Sequence, residues 1–227
     1  MPYSKEIIPE TTEAILDPKT GMWLRPATTD PQTPGLLNDY KDLGIKDGET
    51  VLDGGGNIGF FVWWAMRNFN PGRVVTVEPD ETNYGLLNRN VAQWGSSVTT
   101  INAAISRESR VKLFINPHRG KDSHTTTPTR GRQFVEVGGV GLDALLDQYR
   151  PARIKLDIEG EEHAWLPSMA FPDHVLGLTA EIHLQKKGTR ESGKLICDNL
   201  QSQGFTMVRP YRDTGKNWHC VATWRRD

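Results

Sequence analysis

The sequence predicts an α/β domain built on a doubly wound, mostly parallel sheet with a C-terminal antiparallel hairpin. Three observations predict it. Between residues 50 and 102, short β-branched runs alternate with segments of helical length, the pattern of βαβ units with right-handed crossovers. The glycine cluster Gly54-Gly55-Gly56-Asn57-Ile58-Gly59 joins the first such run to the first helix. The composition, 37 % apolar and 24 % charged over 227 residues, suits one globular domain.

The elements follow in order. Residues 1–44 read as an arm or lid, because Pro2, Pro9, Pro18, Pro26, Pro31 and Pro34 interrupt any regular pattern. A short helix is expected from Gly35 to Leu43, before the turn Lys46-Asp47-Gly48. Thr50-Val51-Leu52 is a buried strand, Ile58 to Asn68 a helix ended by Pro71-Gly72, and Val74 to Val77 a second strand. Glu81 to Trp94 is a helix closed by Gly95, and Val98 to Asn102 a third strand. Val111 to Ile115 and Phe134 to Val137 read as strands flanking a polar loop, 116–133. Then come a helix (Leu142 to Tyr149), a strand (Ile154 to Ile158), a short helix (Glu161 to Leu166) and a strand (Leu176 to Ile182). A helix from Arg190 to Gln203 precedes the hairpin of Phe205 to Arg209 and Trp218 to Trp224.

Composition also excludes. Lys plus Arg number 27 and Asp plus Glu 28, so binding to nucleic acid or an anionic membrane by bulk charge is disfavoured. No apolar stretch is long enough to span a bilayer. Pro2, Glu6, Pro9, Glu10, Glu13 and Asp17 do not make a signal peptide. Cys197 and Cys220 lack metal-ligand spacing and cannot form a disulfide framework. Both are expected to be reduced and buried, in the cytoplasm.

The glycine cluster is the most informative segment. Gly54, Gly56 and Gly59 satisfy G-x-G-x-x-G, which lets a ligand approach the start of a helix. Two ligands compete for such a turn, a nicotinamide dinucleotide and S-adenosylmethionine. Asp53 stands just before the glycines. Beside a pyrophosphate it costs on the order of 4 kcal/mol per like-charge pair at about 4 Å, whereas it attracts an ammonium and a sulfonium. The charge therefore favours S-adenosylmethionine, with Asp53, Gly54, Gly55, Gly56, Asn57 and Gly59 as the cofactor-binding turn. Glu78 ends the second strand, 25 residues on, where a carboxylate accepts both ribose hydroxyls. Asn102 and Ala103 end the third strand, where adenine would lie.

The run Ile154-Lys155-Leu156-Asp157-Ile158-Glu159-Gly160-Glu161-Glu162 is the second strong segment. Alternation puts Lys155, Asp157 and Glu159 on one side of a strand. The next strand ends Glu181-Ile182-His183. Asp157, Glu159, Glu181 and His183 are thus expected to converge at the sheet edge where ligands bind.

Asp53 to Phe60, Val77-Glu78-Pro79, Leu142-Asp143-Ala144-Leu145, Lys155 to Glu162 and Glu181-Ile182-His183 occur in that order. In this the chain resembles the FkbM family of class I, S-adenosylmethionine-dependent methyltransferases, over roughly residues 45–185. The K-x-D-x-E-G-x-E run is the specific element. The resemblance implies a Rossmann-like methyltransferase domain over 45–227 and O-methylation of a hydroxyl on a sugar, glycoconjugate or small natural product. Relatives usually carry alanine at the place of Gly56 and threonine at that of Gly141.

For the chemistry, His183 is the first choice of general base, with Asp157, Glu159 and Glu181 as its alternatives or as acceptor-orienting groups. Three acids and a histidine would also suit a divalent cation, which is not expected. His118, Arg119, Lys121, Ser123 and His124 in the variable loop are candidate contacts to a small-molecule or glycan acceptor. Seven bases and two acids between Arg107 and Arg132 leave an anionic acceptor open. The alternatives are an NAD-dependent oxidoreductase and a methyltransferase acting on nucleic acid or a nucleotide. The chain is expected to be a monomer or homodimer.

Overall fold

The structure, a computed structural model, describes residues 14–25, 30–114, 134–184 and 188–226. A small antiparallel ribbon, β1 (Ile15–Leu16) with β2 (Trp23–Leu24), leads into a 3₁₀ segment, Asp30–Leu43. Then follow β3 (Thr50–Gly54), α1 (Phe60–Asn68), β4 (Arg73–Val77), α2 (Glu81–Val91) and β5 (Val98–Ile101). The middle holds β6 (Ala104–Ile105), β7 (Arg110–Phe114), β8 (Phe134–Val140) and α3 (Leu142–Tyr149). The last third holds β9 (Arg153–Leu156), α4 (Glu162–Trp165), β10 (Gly177–His183), α5 (Thr189–Ser202), β11 (Thr206–Arg209) and β12 (His219–Arg225).

The main sheet has the order β11-β12-β10-β9-β3-β4-β5. β10, β9, β3, β4 and β5 run parallel, and β12 and β11 add antiparallel. This is the expected doubly wound sheet with its C-terminal hairpin. β6, β8 and β7 form a separate three-stranded sheet, which the sequence pattern did not announce.

Boundaries moved for local reasons. α1 begins at Phe60, not Ile58, because Gly59 caps it in the left-handed region at φ 96°. α2 stops at Val91, and the chain continues as a 3₁₀ stretch kinked at Gly95. Asp80 caps α2 by accepting from the Asn83 amide at 2.8 Å. β9 ends at Leu156, so Asp157 and Glu159 stand beyond the strand. Cys220 is buried and Cys197 half-buried, and both are free.

Two apolar layers sandwich the sheet. Leu52, Val75, Ile154, Leu156, Leu178, Ala180 and Trp224 face α3 and α5. Val51 and Val74 face α1 and the 3₁₀ segment. Residues three apart eclipse in a 3₁₀ helix, so Leu37, Tyr40 and Leu43 all turn inward and are buried. The described part of the arm, with Met22 and Leu24, belongs to this same core. Arg25 pairs with Asp30 at 2.9 Å and reaches Asn83 Oδ1 at 2.7 Å, tying the arm to α2.

On the second face a polar row crosses five strands. Register aligns Thr76, Asp53, Lys155, Thr179 and Thr223 side by side, and all five are buried. Thr76 Oγ1 donates to Asp53 Oδ2 at 2.8 Å, and Lys155 Nζ stands 3.1 Å from Asp53 Oδ1. The Thr179 and Thr223 hydroxyls pair at 2.9 Å. Removing one partner of such an ion pair strands a charge in the core, whereas replacing both does not. Lys155→Met is expected to cost about 3–5 kcal/mol, and Asp53→Asn in the same chain to recover part of it. Urea unfolding of the two single variants and the double variant measures the difference.

Candidate active site

The glycine turn is set by its own amides. Gly55 and Gly56 both donate to the Val77 carbonyl, at 3.0 and 2.9 Å. The Asn57 amide donates to Glu78 Oε2 at 2.7 Å, Ile58 to Asn57 Oδ1 at 2.8 Å, and Gly59 to the Gly56 carbonyl at 2.9 Å. All five amides of the turn are thus engaged within the protein. Gly55 lies at φ 79°, and a Cβ there would come within 1.8 Å of the Asp157 carbonyl oxygen. A Cβ on Gly56 would meet Thr76 Oγ1 at 2.2 Å, so the Asp53–Thr76 hydrogen bond fills the room that alanine needs.

Asp53 requires a correction. Its carboxylate is fully buried and turned to Lys155 and Thr76, not to the ligand cleft. Lys155 Nζ also donates to the Gly54 and Gly55 carbonyls, at 3.2 and 2.7 Å. Asp53 therefore neutralises the lysine that holds the turn; it does not supply the charge that attracts a cationic ligand. The discrimination against a pyrophosphate has another basis. Such a ligand needs free turn amides, and here they are spent.

Beside the turn opens a cleft of about 570 Å³, lined by Gly55, Asn57, Val77, Glu78, Pro79, Asn83, Ala103, Ala104, Ile105, Asp157, Ile158 and Glu159. The charged residues among its described lining are Glu78, Asp157 and Glu159. Glu78 is anchored through both oxygens: Oε2 to the Asn57 amide, and Oε1 to the Asp80 amide at 2.9 Å and Asn83 Nδ2 at 3.2 Å. Burial, working against these hydrogen bonds, pushes its carboxyl up to about 7. Ala103 lines the cleft as placed from sequence. The Asn102 amide instead donates to the Glu78 and Pro79 carbonyls, at 2.9 and 3.3 Å. It braces the strand ends, and its donor is not free for a base edge.

The acidic cluster stands at the carboxyl ends of β9 and β10. Strand alternation accounts for Lys155 but not for Glu159. Glu159 is turned into the cleft by a left-handed backbone, φ 55°, followed by Gly160 at φ 105°. A non-glycine residue there stores about 1–2 kcal/mol. Glu162 holds the turn: its buried carboxylate accepts from the Ile158 amide at 2.7 Å and the Gly160 amide at 2.8 Å. His183 Nε2 lies 3.3 Å from Glu159 and 4.0 Å from Glu181, and Nδ1 lies 3.5 Å from Glu162. The four residues Asp157, Glu159, Glu181 and His183 are thereby brought together.

The same geometry corrects the role of His183. Burial alone would lower its pKa. The nearby Glu162 and Glu159 carboxylates override that and push it up to about 12. An imidazolium held so firmly has no lone pair with which to take a proton at neutral pH. Burial first, then like charges, push Asp157 up to about 6 and Glu181 up to about 8.

Three neighbours escaped the sequence reading. Tyr40 is 8 % exposed, and burial, with Asp157 and Glu181 next, raises its pKa well above the usual value. Its signal was the three-residue spacing of Leu37, Tyr40 and Leu43. His219 Nδ1 lies 3.2 Å from Glu181, and its strand places it opposite His183. His163 Nε2 donates to the His183 carbonyl at 2.6 Å, and its Nδ1 accepts from Ser192 Oγ at 2.9 Å. His118, Arg119, Lys121, Ser123 and His124 lie outside the described residues.

The glycine turn, the cleft and the braced carboxylate turn stand together at the carboxyl ends of the parallel strands. Over residues 53–207 the sequence matches the methyltransferase FkbM domain. The chain belongs to the FkbM family of class I, S-adenosylmethionine-dependent methyltransferases. Among curated proteins none matches it in sequence. Solved structures share the fold. A precorrin-6y C5,15-methyltransferase from Geobacter metallireducens superposes with TM-score 0.51 at 13% identity, over 95% of this chain and 97% of that one. The TYW2 protein of M. jannaschii, crystallised with AdoMet, gives 0.50 at 16% identity, over 91% and 82%. The TYW2 protein of P. horikoshii, crystallised with MeSAdo, gives 0.50 at 15%, over 95% and 72%. Among the described residues of this FkbM domain, no helix is long and apolar enough to cross a membrane.

The strain at Glu159 separates stability from function. Glu159→Gly removes the left-handed penalty along with the carboxylate. Folding stability is expected to hold or rise by up to about 1 kcal/mol, while methyl transfer falls about 100-fold. Thermal melting and turnover on the same preparation check both.

Proposed function

We propose that this FkbM methyltransferase transfers the methyl group of S-adenosylmethionine to a hydroxyl oxygen of a sugar, glycoconjugate or small natural product. The observation that carries the reading is the charge of the cleft. Glu78 stands at one part of its wall and Asp157 and Glu159 at another, and the charged residues among its described lining are these three acids. Carboxylates accept hydrogen bonds from hydroxyls, and they repel a phosphodiester chain. A hydroxyl-rich, uncharged acceptor fits where a nucleic acid does not. The basic stretch that suggested an anionic acceptor falls largely outside the described residues.

The assigned roles follow from position. Gly55 and Asn57 give the donor close access to the backbone, and Glu78 accepts its ribose hydroxyls. Ala103, with Ala104 and Ile105, offers a flat apolar wall to the adenine. In the transfer, an acceptor oxygen forms a bond to the methyl carbon as the carbon–sulfur bond breaks, and that electron pair stays on sulfur. The neutral thioether S-adenosylhomocysteine leaves. The acceptor's hydroxyl proton passes to a carboxylate of the cluster, with Asp157 and Glu181 as candidates and His183 fixing their orientation. Holding oxygen and methyl in line supplies a large part of the rate, up to about 7–11 kcal/mol of barrier.

Transfer of isotopically labelled methyl to a panel of glycans, nucleotide sugars and RNA tests the acceptor. Label in an alkali-stable ether on a hydroxyl compound is expected. Label in RNA alone, or in an alkali-labile ester, overturns the reading. Donor binding tests Glu78. Its carboxyl holds a proton below pH about 7, and the ionised form accepts both ribose hydroxyls, so affinity is expected to strengthen from pH 6 to pH 8. Glu78→Gln should weaken S-adenosylhomocysteine binding about 10- to 100-fold and flatten that pH dependence, both read by calorimetry.

A further inference from the structure

The sequence ranked a metal below direct base catalysis, and the geometry reverses that order. We propose that Asp157, Glu159 and His183 bind a divalent cation at the acceptor side of the cleft, with Mn²⁺ the ion best matched to the donor set. One ligand atom from each of the three lies within 4.8 Å of the other two. Two carboxylates and one imidazole, which releases its Nε2 proton to solvent as the cation binds, form a mixed oxygen and nitrogen set. Carboxylates suit Mg²⁺, Ca²⁺ and Mn²⁺, and an imidazole shifts the preference toward transition metals.

Two further observations point to a ligand here. The first is the orientation of His183. Metal-binding histidines turn their second ring nitrogen to a carboxylate, which fixes the ring. His183 does this: Nε2 faces the cluster, while Nδ1 is buried 3.5 Å from Glu162 and makes no hydrogen bond. Glu162 cannot swing away, because the Ile158 and Gly160 amides hold its two oxygens. The second is Tyr40. Its side chain is more than nine-tenths buried, and it makes no hydrogen bond among the described residues. Asp157 and Glu181 are the charged groups that weigh most on its hydroxyl. A hydroxyl on so buried a side chain, under the influence of Asp157 and Glu181, is placed to bond a group carried by a bound cation.

Three protein ligands leave positions open in a six-coordinate shell. Asp157 and Glu159 line the cleft itself, so those positions face the acceptor. This consequence rests on the hydroxyl-transfer reading: a bound cation would take an acceptor hydroxyl as ligand and ease loss of its proton. Glu162 and Tyr40 are positioning residues in this scheme.

The test uses the full chain and Mn²⁺ alone, followed by electron paramagnetic resonance of the free ion. One saturable site per chain is expected. Asp157→Asn and His183→Gln, checked for folding by circular dichroism, should lose it, and Glu162→Gln should weaken it about 10- to 100-fold. A measurement on the unaltered protein covers the case in which a variant fails to fold. Bound Mn²⁺ should broaden the imidazole NMR signals of His183 and leave those of His174, which lies near Arg150 and Arg226, sharp. No uptake up to about 1 mM, uptake unchanged in folded variants, or broadening that misses His183 overturns the site. S-adenosylhomocysteine is titrated separately without metal. If it binds while Mn²⁺ does not, only the cation site falls. If it too fails to bind, the donor reading falls as well.

Discussion

The buried contact between Lys155 and Asp53 is the constraint on which the site depends. Nζ meets the Asp53 carboxylate at 3.1 Å and the Gly54 and Gly55 carbonyls at 3.2 and 2.7 Å. One ammonium therefore joins β9 to β3 and fixes the path of the glycine turn. A lysine this deep is tolerable only when paired and hydrogen-bonded, and Lys155 has one carboxylate and two carbonyl partners. The Asp157 carbonyl then closes on Gly55 so tightly that no side chain fits. The turn is held from beneath by a charge pair and from the side by backbone. It needs no bound ligand to keep its shape.

From that clamp the signature Lys155 to Glu162 can be read one residue at a time. Lys155 secures the glycine turn. Asp157 lends its carbonyl to the turn and its side chain to the cleft. Glu159 enters the cleft through a strained left-handed turn that Gly160 continues. Glu162 binds the amides on either side of Glu159, which keeps the strain from relaxing. Structural and chemical residues alternate, so a run of acids that looks redundant in the sequence divides into braces and working groups. Strain of this kind is retained where surrounding contacts over-determine it.

Charge is distributed with the same economy. The cleft keeps its carboxylates, while the buried Lys155 is committed to Asp53. The preference for a cationic sulfur ligand over a diphosphate survives the loss of Asp53 as its cause. Glu78, Asp157 and Glu159 supply the field, and the spent amides of 55–59 remove the donors on which a diphosphate depends. His183 stands among Glu159, Glu162 and Glu181, and these carboxylates hold its ring in place.

The sequence by itself determined the order of strands and helices in the main sheet, the place of the glycine turn, Glu78 at the next strand end, and the pairing of Asp157 and Glu159 with Glu181 and His183. These follow from local periodicity and from glycines and acids at strand ends, which report on the nearest few residues. Only the tertiary structure decided the direction in which each charge points. Asp53 and Lys155 are 102 positions apart, and only sheet register makes them partners. Tyr40 and His219 reach the cluster from the arm and the hairpin; the three-residue spacing marks Tyr40 as buried but not as a neighbour of these acids. Glu159 is placed by a backbone torsion that strand alternation does not encode. A side chain's electrostatic role is set by whatever packs against it, and that comes from distant parts of the chain.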